Sequence, residues 1–199
     1  MAKAKPITGL DLKAPAGKNA RIIARTRLEE MYAWSDYVDS PYSVRELHNL
    51  RIAAKRLRYT LEVFEDFLPG DCKAVVKELQ QVQDELGELH DSDVLIALLR
   101  LCLGSQESPA SDQALSSAQG KQGKTKSILQ PELVAVLLDT AAAPTAGERY
   151  GLEQLLRKQQ QIREEQYQAF RQHWYLLQEQ DFRRHLLALL DKELVPAHK

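Results

Sequence analysis

Between Ser43 and Leu68 the chain reads SVRELHNLRIAAKRLRYTLEVFEDFL, and its apolar residues Leu47, Leu50, Ala54, Leu57, Leu61, Phe64 and Leu68 recur at steps of three and four. Such a set lines one seam of a single long helix. Pro41 closes the preceding connection, and Ser43 with Glu46 has the spacing of a capping box at the helix start. Leu68-Pro69-Gly70 ends the helix, and Asp71 is the expected N-cap of the next one, whose seam is Val75, Leu79, Val82, Leu86 and Leu89. So short a turn makes the two helices antiparallel neighbours, with Phe64 level with Val75 and Leu50 level with Leu89. The next level sets Asp93 opposite Leu47, and a carboxylate in a seam is costly unless a basic or backbone group nearby bonds it. Gly87 falls beside Ala53 and Ala54, where small residues would let the two backbones approach.

The same reading extends along the chain. Residues 18–39 are helical in pattern, with Ile22, Leu28, Met31 and Trp34 as apolar contacts. Residues 104–130, rich in Ser, Gln, Gly and Ala, read as a disordered insertion acting as a flexible linker. Pro131 opens a short apolar helix closed by Pro144, and Gly147 to about Gln180 forms a long helix. In that helix Leu152, Leu155 and Leu156 pass into Ile162, Tyr167, Phe170, Trp174 and Leu177, an aromatic row expected in a core or an interface. Residues 1–17 read as a flexible basic tail and 192–199 as a frayed C-terminus, leaving 18–191 as one helical domain. The fold class is therefore all-α, an antiparallel bundle of long helices with one long flexible loop.

Charge changes this picture in one place. The chain has 27 Lys and Arg against 28 Asp and Glu, a net charge of -1, which excludes a protein basic throughout that coats nucleic acid. The distribution is uneven: residues 1–60 carry twelve basic and six acidic side chains, and residues 61–107 carry three and eleven. His48, Arg51, Lys55 and Arg58 follow the helical steps of the seam one residue later, on a stripe roughly 100° around the helix. No acid sits among them before Glu62, so the i,i+4 partners that neutralise most such faces are missing. The row is roughly 15 Å long, which suits an extended polyanion better than one phosphate. The alternatives are plain solvation or pairing with acids of neighbouring helices, the latter making this a structural or scaffolding helical protein. Lys18, Arg21 and Arg25 form a shorter row that would extend the face unless Glu29 pairs with Arg25.

The pattern H-x-x-R-x-x-x-K-R-x-R-Y, formed by His48, Arg51, Lys55, Arg56, Arg58 and Tyr59, resembles the signature helix of the CHAD family, the conserved-histidine α-helical domains. The following L-Q-x-V-Q-D-x-L-G-x-L-H-D-x-D-V, from Leu79 to Val94, is similar to that family's pattern, as are the closing runs FRQHW and DFRRHLLALL up to about Leu190. The resemblance implies a non-enzymatic module without cofactor that binds inorganic polyphosphate through His48, Arg51, Lys55, Arg56 and Arg58, with Arg21, Arg25 and His90 as further anion contacts. The family normally has two related helical halves, each with its own basic helix, and this chain shows one. A second copy of the chain, joined through the aromatic row, would complete an enclosed groove.

His90 shares a side of its helix with Gln83 and Gly87 at about the level of Arg51, so His48, Arg51 and His90 are expected to cluster. Such a cluster is a hydrogen-bonded node, a phosphate-binding group, or a metal site with Asp91 or Asp93. The last would make the protein a metal-dependent phosphohydrolase using His48, His90 and Asp93. Against catalysis stand the lack of a Gly-rich phosphate loop and of a nucleophile beside a base. Cys72 and Cys102 without a disulfide framework, and no run of eighteen apolar residues, point to the cytoplasm, with association to polyphosphate granules following from the ligand and no membrane or nucleic-acid partner.

Overall fold

The computed structural model describes residues 3–104 and 144–192. They form α1 (Ala16–Tyr32), α2 (Val44–Val63), α3 (Cys72–Cys102), α4 (Ala146–Glu179) and α5 (Phe182–Asp191), with short 3-10 turns at Ser35–Tyr37 and Glu65–Phe67 and no strand among the described residues. The insertion expected at 104–130 lies, but for Gly104, outside the described residues, as does the helix expected to open at Pro131. The residues expected to fray at the C-terminus lie there too, except Lys192.

The helices pack in chain order, α1 on α2, α2 on α3 and α3 on α4, with α5 returning to α1. Periodicity explains the centre of this arrangement. Leu47, Leu50, Ala54, Leu57 and Leu61 of α2 and Val75, Leu79, Val82, Leu86 and Leu89 of α3 are all buried in one core. On α1 the buried seam is Ala20, Ala24, Leu28 and Met31, and Ile22 is only half-buried. The two alanines give α2 a close neighbour on that side. The expected helix end at Asp39 is also too late, because the chain leaves α1 at Tyr32 and turns through Ser35–Tyr37.

Two expected caps are absent. Ser43 stands at the N-cap of α2 without a side-chain capping bond, since its backbone (φ -78°, ψ 59°) departs from the extended conformation that aims a hydroxyl at the first turn. Asp71 (φ -62°, ψ -17°) is already helical, and its carboxylate accepts from Lys192 Nζ at 3.3 Å. The capping box of the fold belongs to α4: Thr145 Oγ1 accepts from the Glu148 N–H, and the Glu148 carboxylate accepts from the Thr145 N–H at 2.8 Å.

The segment before α1, which reads as a tail, is tied to that helix. Lys5 Nζ reaches Glu29 at 3.0 Å, the Lys5 carbonyl accepts from Arg27, and Asp11 and Asn19 exchange two hydrogen bonds. On α4 the aromatic row turns inward: Tyr167, Phe170 and Trp174 are 3%, 0% and 4% exposed. Trp174 packs on Tyr32 of α1 at 5.8 Å between ring centroids, and Tyr167 donates its hydroxyl to the Val38 carbonyl at 2.8 Å. The row closes this chain's own core and is not presented to a second copy.

Candidate functional site: the groove between α2 and α3

Two flanks of α2 carry the basic residues of its motif, and they have different surroundings. On the flank toward α1, Arg56 pairs with Glu30, which also binds Arg27 at 2.6 Å. Glu30 is 7% exposed, so this acid, unforeseen in the sequence, sits almost wholly inside the protein and is shared by two guanidinium groups. Arg56 therefore belongs to the α1–α2 contact, and the helical wheel places it about 140° from Arg51.

The other flank forms a groove with α3. His48 and His90 meet across it, ring centroids 4.5 Å apart and planes tilted by 44°. Arg51 lies one turn further along, its guanidinium against Gly87. Lys55 and Arg58 follow, both over the Tyr59 ring at 5.4 Å and 4.8 Å from its centroid. Glu62 reaches Arg58 at 3.4 Å and ends the row. The cluster expected of His48, Arg51 and His90 is present, and the space beside Gly87 is filled by Arg51 and not by a close backbone approach to Ala53 and Ala54.

Burial sets the electrostatics of this groove. Desolvation lowers the pKa of His48 to about 4, with Arg51 adding to the shift. His90 is lowered to about 4 by desolvation and by the charges of His48 and Arg51. Both imidazoles are thus neutral near pH 7. Burial also raises the carboxyl pKa of Asp91, which the charge of Arg51 pulls back. Five buried polar atoms along the groove have no hydrogen-bond partner among the described residues: Nδ1 of His48 and His90, Nε of Arg51 and Arg58, and Oε1 of Gln83. Buried polar atoms are nearly always paired with protein or ordered water, so these five mark where water or another group completes the pairing beyond the described residues.

The remaining candidates are elsewhere. Arg21 donates to the Lys192 carbonyl at 2.9 Å and Arg25 pairs with Asp191, so both serve the C-terminal end of α5, where cations offset the helix dipole. Glu29, the expected partner of Arg25, is taken by Lys5. Asp93 is bound by Arg163 Nε at 2.8 Å, with Arg163 also donating to the Pro41 carbonyl. Arg163 occupies a buried seam position of α4, 6% exposed, so the two seam charges of α3 and α4 satisfy each other. Burial raises the Asp93 pKa, and its hydrogen bond to Arg163 lowers it again.

Asp93 therefore does not join His48 and His90, and no group of three His, Cys, Asp or Glu side chains among the described residues converges on a metal position. Cys72 and Cys102 are free thiols whose pKa values burial raises.

Two clefts border α4, away from Arg51, Lys55 and Arg58. One cleft of about 450 Å³ is lined by Arg171, Tyr175 and Glu179, and another of about 300 Å³ by Tyr42, Asp93, Arg100 and Arg163. A linear polyanion needs a groove lined with charge and not an enclosed cavity, so the two descriptions are compatible.

An all-helical bundle that displays a cation row along the groove between two antiparallel helices is the class that fold and site define. Within that class one family profile matches, that of the CHAD domain, over residues 3–100, which take in α1, α2 and nearly all of α3. The likeness read in the closing helices up to Leu190 lies beyond the matched residues. No curated protein and no solved structure matches the chain. No helix among the described residues is long and apolar enough to cross a membrane.

Proposed function

We propose that the α2–α3 groove binds inorganic polyphosphate, and that the protein acts as a binding module and not as a catalyst. The observation that carries this reading is the coincidence of Arg51, Lys55 and Arg58 in one row with five buried polar atoms that have no partner among the described residues. Guanidinium forks grip phosphate oxygens in pairs and an ammonium acts as a point charge, so a mixed row holds a flexible chain of phosphates in shifting register. His48 and His90 line the end of the groove as neutral imidazoles able to share hydrogen bonds with phosphate oxygens. Arg56, Arg21 and Arg25 are held by their own partners and leave the row to the other residues. The metal-dependent alternative would require Asp93 beside the histidines, and Asp93 is engaged by Arg163. Free thiols fit a reducing, cytoplasmic setting, and binding would draw the protein to polyphosphate granules.

Titration with long-chain polyphosphate over a range of salt concentrations tests the mechanism. The logarithm of the affinity should fall linearly with the logarithm of salt, with a slope corresponding to roughly three to five neutralised phosphates. A flat salt response contradicts the electrostatic mechanism. RNA or DNA at equal phosphate concentration should displace the bound chain poorly, and equal displacement would make the groove a general polyanion site.

A further inference from the structure

Gly87 sits well inside α3, a 31-residue helix, with ordinary helical backbone. A glycine there weakens the helix and needs a reason. No turn or left-handed conformation supplies it. Packed against its bare Cα is the Arg51 guanidinium: a Cβ on Gly87 would lie in van der Waals contact with it, 3.4 Å from Nε, 3.5 Å from Nη2 and 3.8 Å from Cζ of Arg51, so that only a small side chain fits between them. Among the described glycines, Gly87 alone has a charged side chain as all three of the nearest atoms that a Cβ would meet. Gly17 instead meets the Phe67 carbonyl, and Gly9, Gly70, Gly104, Gly147 and Gly151 face open space.

We infer that Gly87 is a positioning residue for anion binding: it forms the recess that seats Arg51 against α3. This rests on the polyphosphate reading and adds a determinant to it. A free arginine samples many rotamers and must be ordered when it grips a phosphate, and that ordering subtracts from affinity. Pressed into the recess, with the His48 and His90 rings at one end and Lys55 a turn away, the guanidinium is ordered before the ligand arrives. The Nε edge faces the protein, where it has no partner, and the recess fixes the direction of the fork.

The distances make the size limit sharp. A methyl group at position 87 would make ordinary contact with Arg51 and leave it in place, whereas a longer side chain would fill the recess and expel it. The test is a double-mutant cycle on the full chain with long-chain polyphosphate as probe, using Gly87→Ala, Gly87→Met, Arg51→Met and the Gly87→Met/Arg51→Met pair. G87A should bind within about twofold of wild type, and G87M should lose about as much affinity as R51M, roughly tenfold for one charge-assisted fork. The pair should be no worse than R51M alone, because both changes remove the same seated guanidinium. Additive losses, or wild-type affinity in G87M, overturn the inference.

The Arg51 Nε–H resonance in ¹⁵N spectra, read without ligand, supplies the second measurement. It should be dispersed and slow to exchange in wild type and in G87A, and should collapse to the free-arginine position in G87M. If G87M does not fold, Gly87→Ser takes its place in both experiments under the same criteria. Failure of wild type to bind would remove the polyphosphate reading, while the resonance would still decide whether Gly87 seats Arg51.

Discussion

Arg51 and Arg56 stand five residues apart in one motif, and the fold gives them unlike work. Arg56 helps Arg27 neutralise the buried Glu30, while Arg51 lies in the groove with an Nε that has no partner among the described residues. The linear pattern presents them as one set, and only the turn of the helix separates them, so the basic residues were legible but their division was not. Glu30 was invisible as a partner because an acid on a helix surface and an acid in a buried ion triad look alike in sequence. Replacing Glu30 with Gln should destabilise the protein by about 3 kcal/mol, since it removes the buried negative charge that two part-buried guanidinium groups share. Chemical denaturation measures it, and a loss below about 1 kcal/mol would mean that the triad is solvated in solution. By the same logic Arg56→Met should lower stability with little effect on polyphosphate affinity, and an affinity loss equal to that of Arg51→Met would put Arg56 back in the site.

At the scale of elements, the seams of α2 and α3 were legible because a 3.6-residue period leaves its mark in the choice of apolar residues. The cap of α2 was not, because a capping box depends on the backbone angles at Ser43, which the connection from Tyr32 to Ser43 sets. The Thr145–Glu148 box carried the same signal in sequence and formed. Arg163 reads in sequence as a surface cation beside Glu164 and Glu165, yet it shares the buried seam of Tyr167, Phe170 and Trp174 because Asp93 of α3 stands opposite. The aromatic row could have served a core or an interface, and α1 and the loop after it decided for the core by supplying Tyr32 and Val38. Trp174→Ala should therefore cost about 4 kcal/mol of folding stability, in the range for a large buried aromatic. An unfolding midpoint left unchanged would show that the indole is dispensable to the core.

Across the whole molecule a net charge of -1 hides a cation row beside the acid-rich stretch 61–107, and the pair His48–His90 makes the row's end sensitive to acid. Both imidazoles have folded-state pKa values of about 4 against the ordinary 6.5. The unfolded chain therefore takes up protons first as pH falls. Stability is full above pH 6.5 and declines on the way down to about pH 4. Asp91 and Asp93, whose carboxyl pKa values burial raises, act with the opposite sign at the acid end, so the decline is cleanest just below pH 6.5. A His48→Gln/His90→Gln variant should flatten this part of the curve, and a melting temperature in the wild type that does not move there would contradict the burial of the pair. The same desolvation applies to polyphosphate: a bound anion favours the imidazolium, so binding should take up protons and tighten on mild acidification.

The most direct test of the account is a titration of long-chain polyphosphate against wild type and an Arg51→Met/Lys55→Met/Arg58→Met variant at two salt concentrations. Methionine keeps much of each apolar stem and removes each charge, so helicity and melting temperature should stay close to wild type. The account predicts tight, salt-sensitive binding by the wild type and loss of nearly all of it in the folded variant. Binding that survives in the variant, or that is absent from the wild type, would contradict the assignment of the α2–α3 groove.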